Sequence, residues 1–484
     1  MKIDARKRWL ALYVLCLGDL MIVLDTTIVN VALPSIRSDL GFSEASLAWV
    51  VNAYLLTFGG FLLLAGRLGD LFGQRRLFLI GITAFTIASL ACGLASSKGL
   101  LVGARAVQGL GGAIVSAIAL SLIMILFTEP AERAKAMGIV GFVLSGGGTA
   151  GVLLGGVLTD SLSWHWIFLV NLPVGVAVYA LCLVLLPSDT PARTGRLDVA
   201  GAVTVTASLM LAVYAIVNGN QAGWTSGQTL GLLAGAAVLL ALFLGIEGSV
   251  SSPLMPLGLF RTRNLPSANA TGILLAGAMF AWFFLSALYL QRVLGYSPLE
   301  VGFAFLPATL IWGFSSLALS DKLVMRFGIK VPLVAGLLLY VVALLLFARA
   351  PADGGFAVDV LPGMLLLGLG GGITFNPILL AAMSSVAPSE SGLASGVVNT
   401  SFMMGGALGL AILASLAAWR TDSLTSSGDG PLVALNGGYH LAFIVGAVFA
   451  AVAAATAAAL IRADVSGIAD QEEAPAVLAA SEVE

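Results

Sequence analysis

Charge is scarce in this chain, and so are histidine and cysteine. Lys, Arg, Asp and Glu make up 10% of its 484 residues, too few to cover a soluble protein of this length. The two histidines, His165 and His440, are far apart, and no HExxH occurs. A helix-borne zinc pair is therefore excluded, and no metal site is expected. Cys16, Cys92 and Cys182 each sit alone in an apolar run. They read as buried thiols, with no disulfide framework and no CxxC pair. No GxxxxGK[ST] occurs, so the phosphate loop of an ATP-driven pump is missing. With no nucleophile–base constellation either, a membrane-embedded enzyme is a remote alternative, as is a channel or receptor.

What the chain has is oil. Hydrophobic residues form 59% of it, gathered into runs of about 18 or more, the mark of a transmembrane helix. Fourteen spans are predicted: 9–33, 47–66, 77–96, 100–127, 136–158, 165–186, 198–217, 229–249, 267–290, 299–320, 331–349, 358–382, 392–418 and 438–461. The basic start MKIDARKRW resembles a signal-peptide flank. The apolar stretch behind it is too long for a cleaved segment and reads as the first span. The tail 466–484 is acidic and Ala-rich, and is expected to be disordered. With the N-terminus inside, inner segments hold 17 of the 23 Lys and Arg and outer segments 5, while Arg105 falls within a span. This asymmetry puts both termini in the cytoplasm of a plasma-membrane protein.

GRLGDLFGQRR (66–76) concentrates Arg67, Asp70, Arg75 and Arg76 between the second and third spans. Basic loops anchor topology, but Asp70 and the glycines at 66, 69 and 73 need another reason. SDKLVMRFGIK (320–330) repeats the pattern between the tenth and eleventh spans, pairing Phe72 with Phe327 and Gly73 with Gly328. Met325 stands in the place of Asp70. Related loops in corresponding places suggest two repeated halves, the usual build of secondary transporters. The expected division is a six-helix bundle over 1–190, two inserted helices over 191–262 and a second six-helix bundle over 263–465.

With these segments in view, the sequence resembles the major facilitator superfamily, in particular its fourteen-helix drug:proton antiporter branch. GRLGDLFGQRR matches that superfamily's loop signature, LDTTIVNVALP (24–34) the branch's first-helix signature and RAVQGLGGA (105–113) its fourth-helix signature. WVVNAYLL (49–56), SWHWIFLVNLPVG (163–175) and YLQRVLGYSP (289–298) are also similar to branch segments. The chain departs at Val152, where Pro commonly follows the glycine, at His165, where Arg is frequent, and at Phe402, near a common Arg. The resemblance implies an all-α integral membrane protein and a proton-coupled exporter of drug-like or antibiotic small molecules. It needs no cofactor beyond the proton gradient. A proton-coupled uptake symporter of the same fold stays open as the alternative. Expected partners are protons, a lipophilic small molecule and the bilayer, without nucleic acid, in a monomer.

Asp25 lies deep in the first span, where an acid is costly and usually functional. Nine residues before Pro34, it sits roughly 13 Å below the outer end, and Arg105 roughly 8 Å below the same level. The pair is the expected proton-coupling site. Asp19, rotated by about 120° from Asp25 on the helix, is the second candidate. Gly66, Arg67, Gly69, Asp70, Gly73, Arg75 and Arg76 form the expected cytoplasmic gate, its glycines permitting tight turns and Asp70 facing the helix start near PSESG (388–392). Gly147, Gly151, Gly155 and Gly156 in the fifth span are read as a close-packing or hinge face, as are Gly368 and Gly372 in the twelfth and Gly405 and Gly409 in the thirteenth. Substrate-cavity candidates are Asn30, Asn52, Tyr54, Gln108, Trp282, Trp312, Phe375, Asn376, Asn399 and Phe402, with Phe283 and Phe284. Few buried acids argue for a lipophilic monocation or neutral amphiphile over a dication.

Overall fold

The computed structural model describes residues 5–127, 129–186, 198–250, 253–384, 386 and 391–461. The tail expectation and most of the PSESG segment lie outside the described residues. So do the side chains of Arg67 and Asp70, although their backbone is helical. Among the described residues every regular element is a helix, as expected where backbone polar groups must be satisfied within lipid.

The long helices are α1 (Ala5–Leu40), α2 (Trp49–Phe72), α3 (Gln74–Gly93), α4 (Lys98–Leu126), α5 (Pro130–Ser161), α6 (Asn171–Leu185), α7 (Val199–Ala222) and α8 (Gly227–Ser249). They continue with α9 (Leu265–Leu288), α10 (Pro298–Ala318), α11 (Lys330–Phe347), α12 (Leu361–Met383), α13 (Ser391–Ser426) and α14 (Pro431–Leu460). Thirteen spans among the described residues are long and apolar enough to cross a bilayer. The 32-residue α5 brings the long helices to fourteen.

Several boundaries move from expectation. Pro34 was the expected end of the first span, yet α1 continues through it to Leu40, as membrane helices accommodate Pro inside. The thirteenth and fourteenth helices also reach further, to Ser426 and from Pro431. Most of the loop 66–76 is helical: α2 runs to Phe72 and α3 starts at Gln74. Of the three glycines expected to turn the chain, only Gly73 does so, with φ 92°. Gly69 instead lets Ile118 of α4 press against the backbone, and a Cβ at Gly66 would meet nothing within 4 Å. The second copy shares the device. A short helix, Ser320–Phe327, ends at Gly328 with φ 74°.

Packing shows the duplication plainly. In the first half α1 packs on α4, α5 and α6, while α4 packs on α2 and α3 and α3 packs on α6. Adding eight to each number gives the second half: α9 on α12, α13 and α14, α12 on α10 and α11, and α11 on α14. The halves meet through α5 with α10, α2 with α13, and α1 with α9. The first two of these contacts exchange under the same operation, as a two-fold relation requires. α7 lies on both α2 and α13, straddling the join, and α8 packs chiefly on α7. Near the start of α7, Thr206 fits against Gly60 of α2. Near its end, the Asn220 amide donates to the Ser415 carbonyl at 2.7 Å and the Ser415 hydroxyl to the Ile216 carbonyl at 3.1 Å.

Glycines set the closest approaches. A Cβ at Gly147 would meet Leu20 and Val23, one at Gly151 would collide with Thr27 and Leu24, and one at Gly155 with the Ile28 backbone. Three successive turns of α5 thus press on α1, while Gly156 faces Pro298 and Leu299 of α10. Gly405 and Gly409 do the same for α13 against Ile273 and Gly277 of α9, and Gly368 and Gly372 for α12 against Ala308 and Ser315 of α10. Small residues at this spacing let dispersion and close backbone contact hold helices that water does not drive together.

Candidate functional site

The two charges predicted to pair do pair. Asp25 is 0% exposed and Arg105 1%, and the Arg105 Nη1 donates to Asp25 Oδ2. The true end of α1 puts Asp25 about 22 Å from it, and Arg105 is only about 10 Å from the start of α4. The pair forms all the same, although these two lengths differ.

Around the pair, five helices contribute one network. Arg105 Nε donates to the Val50 carbonyl of α2 at 2.9 Å, and Nη1 also to Gln108 Oε1 at 2.7 Å. Gln108 lies three residues on from Arg105, the spacing that places two residues on one helix face. Its Nε2 donates to Asp25 Oδ1 and to Ser89 Oγ of α3, both at 2.7 Å. Asn171, the first residue of α6, donates to Asp25 Oδ1 at 3.1 Å and to Ser89 Oγ at 3.3 Å. The guanidinium sits 4.4 Å from the Tyr54 ring centroid and 5.7 Å from that of Phe168, where ring faces favour a cation. A buried ion pair is tolerable only where its remaining donors and lone pairs find partners, and this shell engages Nε and Nη1 of the guanidinium and both carboxylate oxygens. Ser89 and Asn171 were not singled out from sequence. Asn171 carries the signal that marked Asp25, a polar residue in an apolar run, in the weaker form of an uncharged amide.

Asp19 is also buried, at 6%, with the Ser116 hydroxyl of α4 at its carboxyl. It is not part of the Asp25 network. At the α2–α3 corner, the Arg75 guanidinium donates to the Leu183 carbonyl at the end of α6. Gln74 Nε2 donates to Ser121 Oγ of α4 at 2.6 Å. The corner is thereby tied to α4 and α6 within its own half.

The cavity candidates separate into groups. Gln108 and Tyr54 belong to the Asp25–Arg105 shell. Asn52 is fully buried on α2, and neither amide atom has a partner among the described residues. Asn30 and Asn399 return their amides to their own helices, at Thr26 and Ser395. Trp282 is buried inside the second half against Phe283, Phe305 and Phe347, and Phe284 is also fully buried. Trp312 packs on Gly371, and the Asn376 amide approaches the Ser316 carbonyl. Phe402 of α13 meets Phe280 of α9 and Phe375 of α12 edge to face, at 6.2 and 5.5 Å. The structure thus brings Phe375 and Phe402 together and keeps Trp282 apart from them.

Fourteen long helices whose contacts repeat between two sets of six, around a buried charge pair, fit a multi-pass transporter. The sequence profile described as Major Facilitator Superfamily matches residues 15–410, and the chain belongs to that family. It is 39% identical over 455 residues to the puromycin resistance protein pur8 of Streptomyces alboniger, covering 91% of this chain and 89% of that one. It is 37% identical over 463 residues to the cephamycin export protein CmcT of Amycolatopsis lactamdurans, covering 95% and 94%. With the multidrug resistance protein Stp of Mycobacterium tuberculosis it shares 39% over 420 residues, covering 87% and 78%. The fold is also that of a bacterial homolog of the human lysosomal transporter Spinster in an inward-facing, occupied conformation. There the TM-score is 0.67 at 17% identity, over 96% of this chain and 99% of that one.

Proposed function

We infer that the protein is a proton-coupled exporter of lipophilic, drug-like small molecules, working by alternating access. The observation that carries the reading is the Asp25–Arg105 pair, wholly buried among the helices of the first half. Burial disfavours a charged carboxyl and the guanidinium favours it. Opening and closing the outer side changes the balance, so the proton loads on one face and leaves on the other. Relatives named for antibiotic resistance and export support outward transport of such compounds. A monocation or neutral amphiphile suits a chain with so few buried acids.

In this reading the protein lies in the plasma membrane with both termini in the cytoplasm, acts as a monomer and uses the proton gradient without a cofactor. Residues 1–190 and 263–465 move as two units, and 191–262 ride on their join. Arg67 to Arg76 form the inner latch, with Asp70 held by the helix start of α13, where free N–H groups and partial positive charge attract a carboxylate.

The test is transport in proteoliposomes driven by an imposed pH gradient. Asp25→Asn is expected to abolish drug accumulation in inverted vesicles, and wild-type accumulation from that variant would refute the reading. Substrate movement in the same direction as protons would instead identify an uptake symporter.

A further inference from the structure

Among the described residues, Asp25 takes part in hydrogen bonds only as an acceptor. Arg105 Nη1 occupies Oδ2, while Gln108 Nε2 and Asn171 Nδ2 both occupy Oδ1. This shell fits an ionised carboxylate. A protonated Asp25 would direct its O–H at a donor, and a buried donor facing a donor is costly. Before the proton is accommodated, one neighbour must become an acceptor.

Arg105 has no acceptor to offer. Gln108 is held at both ends of its amide: turning it would set its NH₂ against the guanidinium that its Oε1 now meets at 2.7 Å. Asn171 is not so tied. Its Nδ2 bonds Asp25 and Ser89 only. Half a turn of its amide places the carbonyl oxygen where Nδ2 stood, facing Asp25 Oδ1 and Ser89 Oγ. Asp25 and Ser89 each then have an O–H to give. Ser89, which accepts from both amides in the ionised arrangement, becomes a donor to Asn171. Asp25 and Ser89 thus exchange their roles toward the same amide, from acceptors to donors.

We propose that Asn171 is the protonation switch of this transporter, its amide donating to ionised Asp25 and, turned over, accepting from protonated Asp25. Loading forms one O–H bond on Asp25 and breaks one in a hydronium ion, which leaves as water. Release returns the proton to water. The proposal rests on the reading that Asp25 carries the proton. The other groups facing Asp25 keep their roles in both arrangements. Arg105 and Tyr54 come from α4 and α2, Cys92 from α3, and Asp19 lies six residues earlier on α1. The spans of α6 and α9 contain no charged residue, and the acids of α5 and α10 lie at the ends of those helices. Asn171 opens α6 directly after a one-turn helix, Trp166–Leu169. Turning its amide therefore acts where α6 begins, and α6 packs on α1 and α3.

The experiment is infrared difference spectroscopy between low and high pH on the purified full chain in lipid, with and without 13C-carbonyl asparagine. The wild type is expected to show a carboxylic-acid carbonyl band together with an asparagine carbonyl change that moves with the label. Asn171→Leu should lose the labelled change, keep an acid band at altered frequency, and slow pH-driven transport about tenfold, the worth of one buried hydrogen bond. Asn171→Gln, which keeps the amide, should recover part of that loss. An acid band without any label-sensitive change, or a labelled change untouched by Asn171→Leu, overturns the switch. Asp25→Asn must remove the acid band. If it does not, the proton sits elsewhere, and the proton-carrier reading falls with the switch.

Discussion

Gln108 holds both members of the charge pair at once: its Nε2 donates to Asp25 and its Oε1 accepts from Arg105, each at 2.7 Å. One uncharged side chain thus fixes the mutual orientation of an acid and a base in a site without exposure to solvent. Gln108→Leu should leave the ion pair formed but misoriented. Expected is export slowed about tenfold with the protein still folded, read as transport per correctly folded molecule. Unchanged transport would show that orientation is set by Arg105 alone.

Removing Arg105 is a different operation. Arg105→Ala leaves the Asp25 charge buried and uncompensated, at a cost of about 3–5 kcal/mol. Expected is a large loss of thermal stability in detergent together with loss of transport. Arg105→Lys keeps the charge but cannot bond Val50, Asp25 and Gln108 through one planar fork. It should recover stability more fully than transport.

Neighbouring glycines of α5 should differ sharply. Gly151→Val drives side-chain atoms into Thr27 and Leu24 of α1, an overpacking cost of about 1–3 kcal/mol. Gly148→Ala meets nothing within 4 Å and should leave melting unchanged. Equal melting temperatures for the two variants would mean that the α1–α5 contact does not stabilise the fold.

At the α2–α3 corner, Gly73→Ala places a Cβ on a backbone with φ 92°, costing about 1 kcal/mol. Gly66→Ala, in open helical surroundings, should be silent. Asp70→Asn should lose most transport and raise inner-side accessibility if the carboxyl latches the inner face. Full transport from that variant would reduce the corner to a topology anchor.

The 17 to 5 charge count predicts a corner on the cytoplasmic side. Gln74→Cys, in a chain lacking the native cysteines, should react with an impermeant thiol reagent only in inverted vesicles.

How much of this was legible in the sequence depended on how rare each signal is. Asp25 and Arg105 stood out because a charge within a span is expensive, and the duplicated corner because Phe-Gly recurs in matching places. Asn171 and Ser89 did not stand out, since uncharged polar residues return their hydrogen bonds to their own helix at Thr83, Thr86 and many other places. Only tertiary placement separates the two cases. Pro34 misled for a local reason: in water a Pro ends a helix, but in this bundle its neighbours carry the backbone through. Gly66 and Gly69 were read as turns because glycine permits left-handed backbone. Helical surroundings used that same smallness at Gly69 to admit Ile118.

Because α7 is stitched to Ser415 of one half and fitted on Gly60 of the other, the molecule shows the lipid two unlike flanks. Along the α2–α13 join an extra helical wall stands between the acyl chains and the interior. Along the α5–α10 join the two halves meet directly, Gly156 against Pro298, and among the described residues α7 and α8 pack at the other join. The lipid therefore meets three helices side by side at one join and only two at the other.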